Sequence, residues 1–231
     1  MKDIKDTVFI IQSRTTSTRV PNKMLRPFAG SSLFEIAVEK ILSSKFIPKK
    51  NFLLSVMDDE LIDIAKKHGI NYFVRSEEST QEPITLSKVF EWHDKIPFKY
   101  YVHINGCSPL LSIETIEQFT SHFLKSKHRG LFGVFKKKTF LFGNEGDMLN
   151  KFYGDKKYLA TLETKFVETC YEAAHSLYAG ALEDISKDIY MGSFKKKNDP
   201  EFFVIEEREC FDIDWPWQFE EAELKYKNYK L

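Results

Sequence analysis

The residue types best suited to chemistry in this sequence come directly after its first apolar run. Residues 8–11, VFII, form a short stretch rich in β-branched side chains, which indicates a buried strand rather than a helix. The hydroxyl and cationic side chains that follow are Ser13, Arg14, Ser17, Arg19 and Lys23. Guanidinium groups hold phosphate oxygens bidentately and an ammonium group acts as a point charge, so this spacing favours a polyphosphate site. From the residues alone, a solvated basic loop after an edge strand is the alternative.

A second candidate site lies near the other end of the chain, at Asp212-Ile213-Asp214. In an extended segment this alternation puts both carboxylates on one face, roughly 7 Å apart at ~3.3 Å per residue. Two carboxylates in that arrangement could share one hard divalent cation or bind two. The alternative is that Asp214 caps the final helix, because Trp215-Pro216 place a proline near its first turn.

The elements that must position these side chains alternate between strand and helix patterns. Strands are predicted at residues 52–56, 70–74, 100–104, 131–135 and 202–205. Helices are predicted at residues 31–42, where Ser32 and Glu35 form a capping box, and at residues 58–69. Asp58 and Asp59 are therefore interpreted as helix-capping residues rather than metal ligands. This alternation favours an α/β fold with a largely parallel sheet and functional groups at the strand carboxyl ends.

Length and composition limit the classes of protein that fit. The chain has 231 residues, enough for one domain with a sizeable core, and 34 basic residues balance 34 acidic ones. A formal net charge of zero gives no general attraction to nucleic acid or to a membrane surface. No apolar run is long enough to cross a bilayer and no signal peptide is visible, so a cytoplasmic protein is expected. The three cysteines are far apart, which favours reduced thiols and argues against a zinc site.

Ser13-Arg14, Ser17, Arg19-Val20-Pro21 and Lys23 follow, in order and spacing, the pattern A-R-x-x-S-x-R-(I/V)-P-x-K-N. The segment resembles the N-terminal signature of the CTP-dependent cytidylyltransferases that make CMP-activated acidic sugars, such as the CMP-sialic acid, CMP-pseudaminic acid and CMP-KDO synthetases. Met24 stands where that family has Asn. The resemblance implies that the matching polar residues bind the nucleotide and that Arg14 and Lys23 are catalytic.

The resemblance continues at two later strand ends. Arg75 stands where the family has an Arg-Pro pair, which implies that Arg75 binds the nucleotide. Asn105 and Ser108 preserve the outline of the Q-P-T-S-P-L run of sialic acid synthetases, which implies nucleotide contacts for both. Cys107 occupies the position of a magnesium-binding Asp in KDO synthetases, and this departure favours the sialate-like arrangement over the KDO-like one.

Residues 136–180 correspond to the region that forms an arm in the resembling family. That arm packs against the partner subunit and closes over its sugar site, so the resemblance implies a homodimer. Residues 171–178 resemble the strand that follows the arm, but the Arg and Gln of the family's R-x-Q-(D/E)-L motif are absent ahead of it. Lys165 is the nearby cation that could meet a sugar carboxylate, and His175 takes a place where the family has Gly.

Asp212 and Asp214 match the family ending I-D-I-D-T-x-x-D-(L/F), in which both aspartates hold magnesium against the CTP phosphates. The resemblance implies a catalytic role for Asp214 and a single domain over residues 1–231.

The implied fold is a Rossmann-like three-layer α/β/α sandwich of the nucleotide-diphospho-sugar transferase (GT-A-like) type. The implied reaction transfers CMP from CTP to an acidic 2-keto sugar, with Mg²⁺ as cofactor and pyrophosphate as product. A metal-dependent glycosyltransferase of the same architecture and a non-catalytic nucleotide- or sugar-binding homologue are the alternatives.

Overall fold

A computed structural model describes residues 1–81 and 84–228; the last three residues of the predicted domain lie outside this part. The strands of the described residues are, in chain order, β1 (Thr7–Gln12), β2 (Pro27–Phe28), β3 (Ser31–Ser32), β4 (Phe52–Val56), β5 (Asn71–Val74), β6 (Tyr100–Ile104), β7 (Leu131–Lys137), β8 (Cys170–Ala181) and β9 (Glu201–Val204). The helices are α1 (Leu33–Ser43), α2 (Asp59–His68), α3 (Leu86–Val89), α4 (Ile113–Lys125), α5 (Lys156–Ala160), α6 (Leu182–Ile185) and α7 (Pro216–Asn228).

Seven strands form one sheet in the order β5-β4-β1-β6-β8-β7-β9, and β2 and β3 form a separate antiparallel pair. β1 is parallel to β4 and β6, β4 is parallel to β5, and β7 is parallel to β9. β8 is antiparallel to both of its neighbours, β6 and β7. The carboxyl ends of β5, β4, β1 and β6 therefore meet at one edge of the sheet, where ligands bind in open α/β folds.

Alternate residues of β1 enter two separate hydrophobic clusters, one on each face of the sheet. Phe9 and Ile11 belong to the larger cluster, together with residues of α1, α2, α4 and α7. Val8 and Ile10 belong to the smaller cluster, together with residues of α3 and α6. Helices thus cover both faces of a mostly parallel sheet, and the predicted three-layer α/β fold is confirmed.

The local predictions agree with the structure where a short apolar run ends at polar residues. β4 and β6 have the predicted bounds, and the Oγ of Ser32 caps α1 by accepting a hydrogen bond from the N–H of Glu35 at 3.2 Å. The carboxylate of Glu35 does not complete the capping box, because it binds Lys67 and His68 of α2 instead.

No helix within residues 1–81 and 84–228 combines the length and the apolar content that a membrane crossing requires.

The predicted arm, residues 136–180, comprises the end of β7, the short helix α5, the connecting loops and most of β8. Several large apolar side chains of this region are exposed: Phe142, Leu149, Tyr153 and Leu162. Lys165, the predicted partner of a sugar carboxylate, is 2.6 Å from Glu163 of the same region. The role of this region as a subunit-contacting arm stays a prediction.

Candidate active site

The polar loop that follows β1 is held in place by two neighbouring elements. The N–H of Ser13 donates to the carbonyl of Ser55 at 3.0 Å, which continues the pairing of β1 with β4 by one residue. Asp58 accepts hydrogen bonds from the N–H and the hydroxyl of Thr15, at 2.8 and 2.5 Å. Asp58 stands at the N-cap position of α2, as predicted, and Asp59 lies in its first turn, but the carboxylate of Asp58 makes no capping hydrogen bond because it holds the loop at Thr15 instead.

The segment before α7 joins the same site from the opposite end of the chain. Ile213 is fully buried, its N–H donates to the carbonyl of Cys107 at 3.3 Å, and its carbonyl accepts a hydrogen bond from Lys23 Nζ. These contacts fix the two flanking aspartates. Asp214 Oδ1 lies 2.7 Å from Arg19 Nη2 and 4.0 Å from Lys23 Nζ. The structure thus brings Arg19 and Lys23, two of the three predicted cations of the first loop, to the predicted metal-binding carboxylate of Asp214, whereas Arg14 contacts the carbonyl of Thr80 instead.

Asp212 has a different environment from Asp214. Its Oδ1 accepts a hydrogen bond from Asn105 Nδ2 at 3.2 Å. Burial raises the pKa of Asp212, and the neighbouring carboxylate of Asp214 raises it further, against the opposing effect of Lys23. Two carboxylates that repel each other within a partly buried site are an oxygen-rich donor set suited to a hard divalent cation.

Asp214 does not cap α7 with its side chain. The backbone N–H groups of Asp214 and Trp215 both donate to Gln218 Oε1, at 2.7 and 2.8 Å. The amide of Gln218 therefore organises the approach to the helix, and the carboxylate of Asp214 remains directed to Arg19.

A cleft of about 420 Å³ opens beside this junction, at the carboxyl ends of β1 and β6. Six of the residues predicted to bind nucleotide line it: Ser13, Arg14, Ser17, Arg19, Lys23 and Arg75. Asn105 and Ser108 do not line this cleft. Asn105 instead contacts Asp212, and Ser108 is buried in the turn before α4, where Lys40 Nζ contacts its carbonyl at 3.4 Å. Direct nucleotide contacts for these two residues stay a prediction.

Arg75 is a buried cation on the cleft wall, with only 8% of its surface exposed. Its Nη2 donates to the carbonyl of Ser79 at 3.1 Å, whereas its Nε has no hydrogen-bond partner among the described residues. Burial lowers the pKa of Arg75 to about 10, and the nearby charge of Arg14 lowers it as well. An unsatisfied buried N–H is unfavourable, so this side chain is suited to receive an acceptor from a ligand.

Gln12 and His103 line the same cleft and were not predicted from the sequence. Gln12 Oε1 accepts hydrogen bonds from Ser55 Oγ at 3.0 Å and from Trp92 Nε1 at 2.9 Å. His103 Nδ1 is hydrogen-bonded to the hydroxyl of Tyr190, and burial, aided by the charge of Arg75, lowers the pKa of His103 to about 4. The one sequence signal was that each is a polar residue within or at the end of an apolar strand.

Cys107 and Met24, two departures from the family pattern, lie side by side. Cys107 Sγ donates to Met24 Sδ at 3.6 Å, and Met24 is buried. Burial raises the pKa of Cys107 to about 11, so at neutral pH this side chain is a protonated thiol and a weak nucleophile.

Comparison with known proteins places this chain in a family. The model described as cytidylyltransferase matches residues 8–190. The spore coat polysaccharide biosynthesis protein SpsF of Bacillus subtilis (strain 168) is 28% identical over 123 residues, covering 52% of this chain and 51% of that protein. The 3-deoxy-manno-octulosonate cytidylyltransferase of Francisella tularensis subsp. holarctica (strain LVS) is 30% identical over 112 residues, covering 47% of this chain and 42% of that protein. The chain spans about half the length of the curated relatives it matches.

Solved structures share the fold over almost the whole chain. CMP:2-keto-3-deoxy-manno-octonic acid synthetase complexed with CTP superposes with a TM-score of 0.66 at 12% identity, over 96% of this chain and 98% of that one. A cytidylyltransferase from Leptospira borgpetersenii serovar Hardjo-bovis (strain JB197) gives a TM-score of 0.63 at 18% identity, over 98% of this chain and 88% of that one. The family match covers most of the sequence, including the first loop, β6 and β8, and the chain therefore belongs to the cytidylyltransferase family.

Proposed function

We propose that this protein transfers CMP from CTP to an acidic 2-keto sugar and releases pyrophosphate. The observation that carries the proposal is the junction beside the cleft, where Arg19 Nη2 and Lys23 Nζ of the cleft wall approach Asp214 Oδ1 at 2.7 and 4.0 Å. A triphosphate needs cations along its non-bridging oxygens and a metal-binding carboxylate close to them. These groups come from the two ends of the chain and meet at one place.

Asp212 and Asp214 would hold the Mg²⁺ that the family resemblance implies. Their fit rests on the donor set: two neighbouring carboxylates, of which Asp212 has a raised pKa because of burial and of Asp214. The two carboxylates offer the hard oxygen ligands that such a cation prefers. Bound there, the cation would neutralise charge on the phosphates.

The protein residues bind and orient the reacting groups. Arg14 and Lys23 would bind the oxygens of the departing pyrophosphate, and Arg19 and Ser17 line the same cleft. The acceptor hydroxyl forms a bond to the α-phosphorus as the bond from phosphorus to the bridging oxygen breaks, and the hydroxyl proton passes to solvent. Positioning and charge stabilisation account for most of the catalysis in such transfers, so a dedicated general base is not required.

The acceptor class is proposed from the relatives and from the sequence resemblance. The Francisella relative is a 3-deoxy-manno-octulosonate cytidylyltransferase, and the chain also carries the sialate-like outline at Asn105 and Ser108. KDO and sialic acid are both acidic 2-keto sugars. The sialate-like arrangement of residues 105–110 stays a prediction, and it does not by itself name the acceptor.

The protein is also proposed to act as a homodimer through residues 136–180. The exposed apolar side chains Phe142, Leu149 and Tyr153 support this proposal, because a partner surface would remove them from water. Light scattering coupled to size exclusion should give twice the chain mass for the wild type. Replacing these three residues by Ser should give a monomer, and a monomeric wild type contradicts this part of the proposal.

The reaction is tested by measuring pyrophosphate release from CTP and Mg²⁺ with KDO and with N-acetylneuraminate as acceptors. We expect release only when an acceptor is present, and CMP-sugar formation in equal amount by mass spectrometry. CTP binding in calorimetry without release from either acceptor would favour a non-catalytic homologue. Release of a nucleoside diphosphate from a sugar nucleotide would instead favour the glycosyltransferase. Absence of CTP binding contradicts cytidylyl transfer from CTP.

A further inference from the structure

The indole of Trp215, the residue just before α7, lies against the guanidinium of Arg19. The Cζ atom of Arg19 is 5.4 Å from the centroid of the Trp215 ring, within the ~6 Å range of cation–π contacts. Trp215 is 50% exposed, so most of what its indole contributes is not burial in the core. It stands at the Thr position of the family ending I-D-I-D-T-x-x-D-(L/F), which makes this contact a feature of the present chain.

The backbone of Trp215 is fixed by the start of α7. Its N–H donates to Gln218 Oε1 at 2.8 Å, and its carbonyl accepts from the N–H groups of Gln218 and Phe219 at 3.0 and 3.2 Å. Phe219 is buried and packs edge-to-face on Phe28, with ring centroids 5.3 Å apart. The half-exposed indole is therefore attached to a backbone that is anchored in the core.

Arg19 belongs to the loop after β1 and is held less firmly. In the part of the chain that the structure describes, its guanidinium forms one side-chain hydrogen bond, to Asp214 Oδ1 at 2.7 Å, and its side chain is 49% exposed. The proposed function assigns Asp214 to the metal ion and Arg19 to the triphosphate. A metal ion on Asp214 would repel the guanidinium, so this ion pair must separate when both ligands bind. Trp215 is then the contact that keeps Arg19 beside the cleft.

We propose that Trp215 is a positioning residue, which holds the guanidinium of Arg19 for the triphosphate while Asp214 exchanges that guanidinium for the metal ion. The inference rests on the proposed cytidylyl transfer and adds a residue that acts through Arg19. An aromatic face suits this purpose, because it attracts a cation without accepting its N–H groups, and all five donors stay available to phosphate oxygens. A carboxylate in the same position would occupy some of them.

Trp215→Ala tests the inference by calorimetry with two probes, CTP and inorganic tripolyphosphate, at the same Mg²⁺ concentration. We expect the Kd of both probes to rise about threefold to fivefold, the effect of one exposed cation–π contact. Trp215→Phe keeps an aromatic face and should recover most of the affinity. Trp217→Ala is the matched control, because this indole is 59% exposed on the same helix and has no cation–π contact within the described residues. It should leave both Kd values within about twofold of the wild type.

A double-mutant cycle with Arg19→Ala shows whether the indole acts through Arg19. Arg19→Ala alone should weaken both probes more than Trp215→Ala does, and adding Trp215→Ala to it should have no further effect. Losses that add, or a loss confined to CTP, would mean that Trp215 contacts the ligand directly, and either result overturns the inference. An unchanged Kd in Trp215→Ala overturns it as well. A wild type that does not bind CTP contradicts the proposed function, and the inference with it.

Discussion

Arg19 Nη2 and Asp214 Oδ1 lie 2.7 Å apart although 195 positions separate the two residues in the chain. Their side chains are 49% and 38% exposed. An ion pair with this exposure contributes at most about 1 kcal/mol to stability, since solvent screens it. The contact is therefore more informative about the site than about the fold, and variants of it should change activity far more than stability.

Asp214→Asn should lower kcat at least about a hundredfold, because a neutral amide replaces a proposed metal-binding carboxylate and ~3 kcal/mol of transition-state stabilisation is lost. The Tm should fall by less than about 2 °C, as expected for an exposed pair. Pyrophosphate release and thermal melting measure the two effects. Asp63→Asn, which removes the exposed pair with Lys66 on α2, is the control and should change neither. Near-normal turnover in Asp214→Asn contradicts the metal site.

Arg14→Ala should also lower kcat by about a hundredfold through loss of a cation from the pyrophosphate. Arg14 is exposed, and its Nη1 donates a long hydrogen bond to the carbonyl of Thr80 at 3.4 Å. Its removal should therefore leave the chemical denaturation midpoint almost unchanged. Arg208→Ala, at an exposed arginine of the turn before the aspartate segment, serves as the charge-matched control. Equal activity of the two variants would count against a role for Arg14.

The sequence predicted those parts of the site that come from continuous segments. Six predicted loop or strand-end residues lie on the cleft, and Asp214 lies beside Arg19. These residues were predictable because each of their segments shows a local pattern, an apolar strand followed by polar residues. The fold class followed from the alternation of strands and helices. The roles of these residues, the Mg²⁺, the cytoplasmic location and the dimer stay predictions.

The parts that the sequence did not predict depend on contacts between distant segments. Gln12 is fixed by Trp92, 80 positions away, and His103 by Tyr190, 87 positions away. The carboxylate of Asp58 binds Thr15, 43 positions away, rather than the N–H groups of its own helix. The antiparallel direction of β8 likewise depends on the course of the chain through residues 138–169. By contrast, α4 was not predicted although its sequence carries a local pattern: Ile116, Phe119, Thr120 and Phe123 recur at helical spacing, and all four are buried.

Arg75→Met should weaken CTP binding and leave the free protein equally or more stable. Arg75 lines the cleft, and its Nε lacks a partner in the described part of the chain, so a ligand acceptor is expected to satisfy it. Loss of hydrogen bonds from a charged group should raise the Kd for CTP by about 10- to 100-fold. Among the described residues Arg75 forms no ion pair, and the charges of Glu91 and Asp58 offset its burial only in part, so an apolar side chain should not lower the Tm.

Arg75→Lys is the companion variant for this test. It keeps the charge but loses the planar fork, and it should bind CTP more weakly than the wild type. Calorimetry with CTP and thermal melts without it provide both readouts. An unchanged Kd in Arg75→Met would show that the ligand does not contact this wall of the cleft.

His103 should make the stability of the protein depend on pH in the acid range. Its pKa is lowered to about 4 in the folded state, chiefly by burial, from the ordinary value of 6.5. Between these values the unfolded chain binds a proton that the folded chain does not, so the free energy of unfolding falls as the pH decreases from 6.5 to 4. The loss for this single group is up to about 3 kcal/mol, at ~1.4 kcal/mol per pH unit, and no further loss from it is expected below pH 4.

His103→Asn, which keeps a polar group near the hydroxyl of Tyr190 but does not titrate in this range, isolates that effect. Urea denaturation at pH 7.5, 6, 5 and 4 should show a smaller loss of stability for the variant than for the wild type. His128→Asn, at an exposed histidine, should follow the wild-type curve. Parallel curves for His103→Asn and the wild type would mean that His103 has the same pKa in the folded and unfolded protein, which contradicts this prediction.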